Sequence, residues 1–370
     1  MEEIGKSGSL PKALIPKVSI VVPVRNGAST IEETLRSLLA QTFRDFEVWV
    51  MDDGSTDGTV DIVTQVAETD PLDRIRLRSR SAPHGVSLAR NGGIALARGE
   101  LIGFLDGDDL WLPEKLADQV AVLEQYPTAV MAYCWTELMD QVGQRLGQVI
   151  DAPFEGWIRE HLLVTDFISS GSNALIRRSP LVQTGGFDTT LTHSEDWDLW
   201  LRLAAIGPVA KVPKVQVLYR QQPTSASVNV LAHEAASRHI ISRELQQLAE
   251  STSSDHPLPR HYHRIVWGNR YKYLAFKALD RPCQGQWGIA SMTTLRFLTQ
   301  VVRCDRGSLR HWQQWIGVLG KLILCGVLPP IVSRWCLRGW PFLGRSQHFL
   351  LTLTRVPRLP HRPLADGSGQ

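Results

Sequence analysis

The sequence is poor in cysteine, and the five it has lie too far apart to act together. Cys134, Cys283, Cys304, Cys325 and Cys336 never form a C-x-x-C pair, which excludes the common zinc and dithiol motifs and fits a reducing compartment. No G-x-x-x-x-G-K-[ST] loop, no H-E-x-x-H and no G-x-S-x-G occurs, so P-loop hydrolysis, zinc proteolysis and serine-nucleophile chemistry have no support. The opening MEEIGKSGSLPKALIPK has no apolar stretch of signal-peptide length, and residues 1–16 are expected to be a flexible leader on a cytoplasmic protein. No unbroken apolar run reaches the roughly 20 residues that a spanning helix needs.

What is present describes a folding chain. Hydrophobic residues make up 43% and charged residues 21% of 370 positions, enough apolar material for a sizeable core. The length suits one large α/β domain carrying an extension. A formal net charge of +3 hides an asymmetry: residues 301–362 hold ten Lys or Arg against one acid, Asp305. The same segment contains WIGVLGKLILCGVLPPIVSRWCLRGWPFL, broken by Lys321 and Pro329-Pro330 and bordered by tryptophans. Basic charge beside apolar faces is the pattern of a segment lying in a membrane interface near anionic headgroups. The competing reading is a helical hairpin packed on the main domain. Nucleic acid is disfavoured, because the cations are interleaved with large aliphatics and form no polar stripe.

From Lys17 to Gly107 short β-rich runs alternate with helical patterns, as in a parallel sheet with crossover helices. KVSIVVPV predicts a buried strand over 18–24. A helix follows, with Ser29 and Glu32 at capping-box spacing and Ile31, Leu35, Leu38 and Leu39 on one stripe. FEVWVM predicts a second strand ending at Asp52-Asp53, then a turn and a helix, VDIVTQVAE. A third strand is expected at 75–78, a helix over 86–98, and a fourth strand, LIGFL, running into Asp106. Ligands of such sheets bind outside the carboxyl ends of the strands, so Asp52-Asp53 and Asp106 to Asp109 are expected to line one crevice. Further on, LPEKLADQVAVLEQYP reads as a helix, AVMAYCWTEL as a strand, and the stretch to Asp166 gives mixed signals. Gly185-Gly186 predicts a turn, Trp197 the start of a helix, and 211–219 an edge strand. The main domain is expected to span 17–228, followed by a helical, basic and apolar region over 229–362 and a tail over 363–370.

FLDGDDLW poses the chemical question, since three carboxylates within four residues repel one another unless a cation or a solvated turn separates them. The ordered series VSIVVPVRNGAST, VWVMDDGSTDGT, GVSLARNGGIALARGELIGFLDGDDLW, GGFD and SEDWDLWLRLA resembles family 2 glycosyltransferases of the GT-A fold, over about residues 18–219. The resemblance implies a Rossmann-like, mostly parallel α/β sheet flanked by helices. It also implies a metal-dependent, inverting enzyme that uses a nucleoside-diphosphate sugar.

On that resemblance Asp106 and Asp108 form a D-x-D that holds Mn²⁺ or Mg²⁺, hard ions suited to one or two carboxylates plus phosphate oxygens. Asp108 is the expected direct ligand; Asp106 reaches the ion through water or touches the ribose. Asp53 corresponds to the aspartate that contacts the nucleotide base, with Pro23, Val24 and Asn26 lining the base pocket and a UDP-sugar favoured, while Asp52 is left to cap the turn. Arg90 stands near the nucleotide, where a guanidinium can pair with phosphate oxygens; the alternative is a surface ion pair. Asp196 corresponds to the general base, with Glu195 as the second candidate and Asp198 as a helix acid. Trp197 and Trp200 are core residues or sugar-stacking platforms, and Gly171, Ser172 and Asn173 are candidates for acceptor contact. The expected acceptor is a glycan or lipid-linked intermediate of cell-surface polysaccharide assembly, met at the inner face of the plasma membrane. Two rivals are a non-catalytic nucleotide-sugar-binding or scaffolding protein and a nucleotidyltransferase. The latter lacks its Gly-rich basic loop, since PVRNGAST has one Arg and one Gly.

Overall fold

The computed structural model describes residues 15–221, 229–251, 261–280, 287–327 and 364. The chain begins with β1 (Val18–Val24), α1 (Ile31–Leu39), β2 (Phe46–Asp52), α2 (Thr59–Glu68), β3 (Ile75–Ser79), α3 (Val86–Leu96) and β4 (Leu101–Phe104). β1 pairs in parallel with β2 and β4, and β2 with β3. All seven β1 residues are buried, as expected of a parallel strand covered on both faces. α3 packs so closely on this strand that a Cβ at Gly93 would lie 2.2 Å from Val21 Cγ1. Because β2 and β4 flank β1, their carboxyl ends open on the same side, and Asp53 and Asp106 follow immediately from them.

The second half of the sheet is mixed. It contains β5 (Leu110–Trp111), β6 (Met131–Met139), β7 (Arg145–Ile150), β8 (Leu175–Arg177) and β9 (Val209–Arg220), with α4 (Lys115–Gln125), α5 (Arg159–Val164), α6 (Arg178–Gln183) and α7 (Glu195–Ile206) between them. The strand order is β3-β2-β1-β4-β8-β6-β9-β5, with β7 beside β6. β8 runs antiparallel to both β4 and β6, whereas β9 runs parallel to β6. The sheet is thus parallel in its N-terminal half and mixed beyond it.

Several sequence expectations need correction. Serine 29 caps nothing: α1 starts at Ile31 behind Thr30, and the Thr30 hydroxyl donates to the Gly107 carbonyl at 2.8 Å, tying the helix to the acidic turn. β9 is an edge over only part of its length, because the two-residue β5 pairs outside Val217 and Leu218. α7 begins at Glu195, two residues before Trp197, so the acidic pair lies in the first turn, where carboxylates favour the helix dipole. Residues 145–164, where the signals were mixed, form β7 and α5. Trp197 and Trp200 are 2% and 0% exposed, which leaves their core reading and removes sugar stacking.

The C-terminal part is helical: α8 (Val230–Ser251), α9 (Tyr262–Asp280), α10 (Trp287–Cys304), a 3-10 turn (Arg306–His311) and α11 (Trp312–Val327). Ala236, Ile240 and Ile241 of α8 and Val266 of α9 share a core with Trp197 and Trp200. Arg243 of α8 donates to buried Asp198 at 2.6 Å, and Glu244 pairs with Arg159 of α5 at 2.9 Å. The remainder of α9 builds a second core with α10 and α11 around Leu274, Phe297, Val301 and Val318. No helix among the described residues is long and apolar enough to cross a membrane. Most of the apolar, basic segment lies outside the described residues.

Candidate active site

The turn after β4 separates its three carboxylates by facing them differently. Asp109 is fully buried and points inward, away from the crevice it was expected to line. It accepts the Arg220 amide at 2.9 Å and the Ser172 hydroxyl at 2.6 Å, and burial followed by the charge of Asp108 pushes its carboxyl well above the usual range. Asp106 and Asp108 stay partly exposed. Burial and then Asp106 raise the Asp108 carboxyl to about 6, the mark of two acids held close together. Arg220, at the end of β9, fixes the turn from outside. Its Nε donates to the Asp108 carbonyl at 2.7 Å and its Nη2 to Glu33 of α1 at 2.7 Å.

Across the crevice, Arg90 of α3 joins the two acidic elements. Its guanidinium is 3% exposed and donates to Asp106 Oδ1 at 2.6 Å and to Glu195 Oε1 at 2.9 Å, while lying over the Phe187 ring at 5.0 Å. The surface ion-pair alternative is therefore excluded. Gly171 packs against this bridge so tightly that a Cβ there would meet Arg90 Nη2 at 2.6 Å and Asp106 Oδ2 at 3.3 Å. The Ser172 hydroxyl, besides holding Asp109, accepts the Asp106 amide at 3.0 Å. Asn173 is 1% exposed and spends its side chain on Cys134 and Thr136, so it is a core residue and cannot meet an acceptor.

Asp196 lies next to Glu195 but differs in its partners. Its Oδ1 accepts the Trp197 amide at 2.7 Å, and among the described residues no cation stands within ion-pair distance of it. Burial, then Glu195, then Asp166 push its carboxyl up to about 8. A carboxylate that binds a proton this readily, in a partly exposed position, has the properties of a general base. Glu195 is neutralised by Arg90, which makes it the weaker candidate.

On the other side of β1, Asp53 follows β2 and is 5% exposed. Its carboxylate accepts the amides of His84 at 2.9 Å and Gly85 at 2.8 Å, fixing the entry to α3, and keeps lone pairs for a further donor. Asp52 accepts the Ser55 amide at 3.1 Å, the turn-capping arrangement expected of it. Asn26 adopts φ 50°, a left-handed conformation that asparagine tolerates better than most residues. Its Oδ1 accepts the Thr56 amide at 2.9 Å, so it clamps the loop after β1 to the loop after β2. Pro23 and Val24 are buried at the end of β1, beneath these loops.

The donor set fits a divalent ion of the diphosphate-bound kind. Among the described residues no cluster of three or more His, Cys, Asp or Glu forms a complete cage, and one or two carboxylates completed by phosphate oxygens and water is how Mg²⁺ is commonly held. Asp106 Oδ1 is engaged by Arg90, and both carboxylates remain partly exposed. Sequence reasoning missed Asp109 as an interior acid, Arg220, which holds the acidic turn, and Asp166, whose charge bears on Asp196. Long-range packing brings them together, and no local motif marks them.

A parallel α/β half-sheet with acids at the carboxyl ends of β2 and β4, continued by a mixed half and faced by an acidic helix start, is an architecture of the GT-A kind. The model of the glycosyltransferase-like family 2 matches residues 19–278, and the chain belongs to that family; it is a glycosyltransferase. An uncharacterised glycosyltransferase of Rickettsia typhi is 32% identical over 225 residues, covering 58% of this chain and 68% of that protein. A Bacillus subtilis protein whose name assigns it, provisionally, to teichuronic acid biosynthesis as the glycosyltransferase TuaG is 36% identical over 138 residues, 37% of this chain and 54% of that one. Among solved structures, the mannosyltransferase PcManGT of Pyrobaculum calidifontis, in complex with GDP-Man and Mn²⁺, superposes with a TM-score of 0.52 at 18% identity, covering 93% of this chain and 89% of that chain. The last likeness concerns the fold alone.

Proposed function

We propose that the enzyme transfers a sugar, with inversion, from a nucleoside-diphosphate sugar to a glycan or lipid-linked acceptor in cell-surface polysaccharide assembly. The observation that carries this reading is the pairing of a partly exposed Asp106–Asp108 couple with an Asp196 carboxyl of raised proton affinity, the two elements linked by the Arg90 bridge from Asp106 to Glu195. Asp53 accepts an N–H of the base, and Pro23, Val24 and Asn26 shape its pocket; a UDP-sugar is the favoured donor. Asp108, with Asp106 beside it, would hold Mn²⁺ or Mg²⁺. When bound, that cation neutralises the acidic couple and the charge of the departing diphosphate. Asp196 takes the proton of the acceptor hydroxyl as its oxygen attacks the anomeric carbon opposite the leaving group. Arg90, engaged by Asp106 and Glu195, keeps those two carboxylates in place and leaves Asp196 to act as the base. The GDP-Man and Mn²⁺ of the archaeal mannosyltransferase support a sugar nucleotide with a divalent ion, and the name of TuaG supports polysaccharide assembly.

Residues 17–228 act as the transferase unit in this reading, and 229–362 as a helical region that touches the inner face of the plasma membrane through 301–362. Ile316, Leu319 and Ile323 on α11, 57%, 42% and 63% exposed, support an apolar face there. Calorimetric titration of UDP- and GDP-sugars, with Mn²⁺ and with chelator, tests the donor site: binding that needs the metal and is lost in Asp53→Ala is expected, and metal-independent binding would refute the assignment. Flotation of the full chain with anionic but not zwitterionic vesicles is expected; equal flotation with both would remove the electrostatic part of the membrane reading.

A further inference from the structure

The residue that starts α7 is held in an unfavourable conformation by two side chains from outside the sheet. Ser194 has φ 58° and ψ 25°, the left-handed region that costs a serine roughly 1 kcal/mol or more. At a helix N-cap its hydroxyl would ordinarily bond the amides of the first turn; here it makes no such bond. It is instead taken by His233 Nδ1 of α8 at 3.1 Å and by Arg270 Nη2 of α9 at 3.1 Å. Arg270 is 9% exposed, stacked over Trp197 at 4.7 Å and Tyr273 at 4.9 Å, and its Nε donates to the Ser237 hydroxyl. Among the described residues it has no carboxylate within ion-pair distance. His233 is also 9% exposed, with Nε2 buried and without a hydrogen-bond partner, and its ring meets His193 edge-on at 4.8 Å. The next two residues after Ser194 are Glu195 and Asp196.

We infer that Arg270 and His233 are positioning residues of the transfer reaction: through the Ser194 hydroxyl they hold the left-handed turn from which Asp196 is aimed at the acceptor. The inference rests on the reading of Asp196 as the base. It makes the helices after the sheet part of the catalytic apparatus, since without their grip Ser194 relaxes toward negative φ and the first turn of α7 reorients. The charges facing Asp196 are Glu195 on its own helix, Arg90 on α3, Asp166 after α5 and Arg270 on α9, so Arg270 also bears on its titration.

The test follows nucleotide release from UDP- and GDP-sugars with Mn²⁺, water serving as acceptor, over a pH series, alongside amide exchange of the peptide holding Ser194 to Asp198. Arg270→Gln is expected to lower kcat about 10- to 100-fold with little change in donor KM, to displace the pH profile, and to speed exchange of the turn. Arg270→Lys restores part of the loss. In a Ser194→Gly background, where the left-handed conformation needs no support, the same Arg270→Gln change costs less than about 3-fold. An unchanged kcat, a loss confined to donor KM, or an equal loss in both backgrounds would overturn the inference. Asp196→Asn is measured beside them. If it keeps wild-type release, the base reading falls, while exchange of the turn still reports whether Arg270 grips Ser194. His233→Asn replaces Arg270→Gln should the latter fail to fold.

Discussion

Replacing Arg90 by Met removes the cation between two acids while keeping most of the side-chain volume. The guanidinium is 3% exposed, Glu195 13% and Asp106 26% at their side chains. Breaking a buried pair from one side costs about 3–5 kcal/mol, because a charge is left uncompensated. Asp106 is 26% exposed, so solvent screening lowers that range by about 1 kcal/mol, to about 2–4 kcal/mol. At about 2–4 °C per kcal/mol for a domain of this size, the Tm falls by about 5–15 °C. A second signature separates a strut from a mere packing residue. With Arg90 gone, Asp106 loses the cation paired with it, so Mn²⁺ raises the Tm of Arg90→Met by more than it raises that of wild type. Scanning calorimetry with Mn²⁺ and with chelator reads both effects. A variant that melts like wild type, with the same Mn²⁺ increment, would refute the strut.

Gly171→Ala places a methyl 2.6 Å from Arg90 Nη2, so a stability loss of about 1–3 kcal/mol from overpacking is expected, together with slower nucleotide release; chemical denaturation and a release assay check both. The Asp196 carboxyl, raised to about 8 from its ordinary 3.8, is protonated in the folded chain below that value. Release therefore climbs with pH and levels off above about pH 8, a profile that Asp196→Asn flattens. Because the unfolded chain gives up that proton near 3.8, the group subtracts stability as pH rises from about 4 to about 8, so Asp196→Asn gains Tm over wild type more at the alkaline end. Asn26→Ala loses the bond to the Thr56 amide and puts alanine at φ 50°, for an expected loss of about 1–3 kcal/mol and a higher donor KM.

The parallel half of the fold was legible because each of its signals is local. VSIVVPV is apolar throughout, α1 shows one apolar stripe, and the turn residues at Gly54 and Gly85 separate the units; strand and helix limits there match the structure to within a residue or two. The acids at the strand ends were readable for the same reason, since a D-x-D after an apolar run is contiguous. What escaped were features set by distant partners. The partial cover of β9 was hidden because nothing in 211–219 reveals that Leu110 and Trp111 pair outside Leu218 and Val217. Asp109 looked like its neighbours because only the fold brings Ser172 and the Arg220 amide to it. Arg90 was seen, but its bridge to Glu195 spans 105 positions, and the grip of Arg270 on Ser194 spans 76. The start of α7 was misjudged by two residues because a left-handed serine, with no capping bond of its own, gives no N-cap signal.

Release of the free nucleoside diphosphate from a panel of UDP-, GDP- and dTDP-sugars, compared for wild type, Asp108→Ala and Asp196→Asn with Mn²⁺ and with chelator, tests the central claim most directly. The account predicts release by wild type that needs the metal, is abolished in Asp108→Ala and is strongly reduced in Asp196→Asn. Release that withstands the chelator and persists in both variants would contradict it.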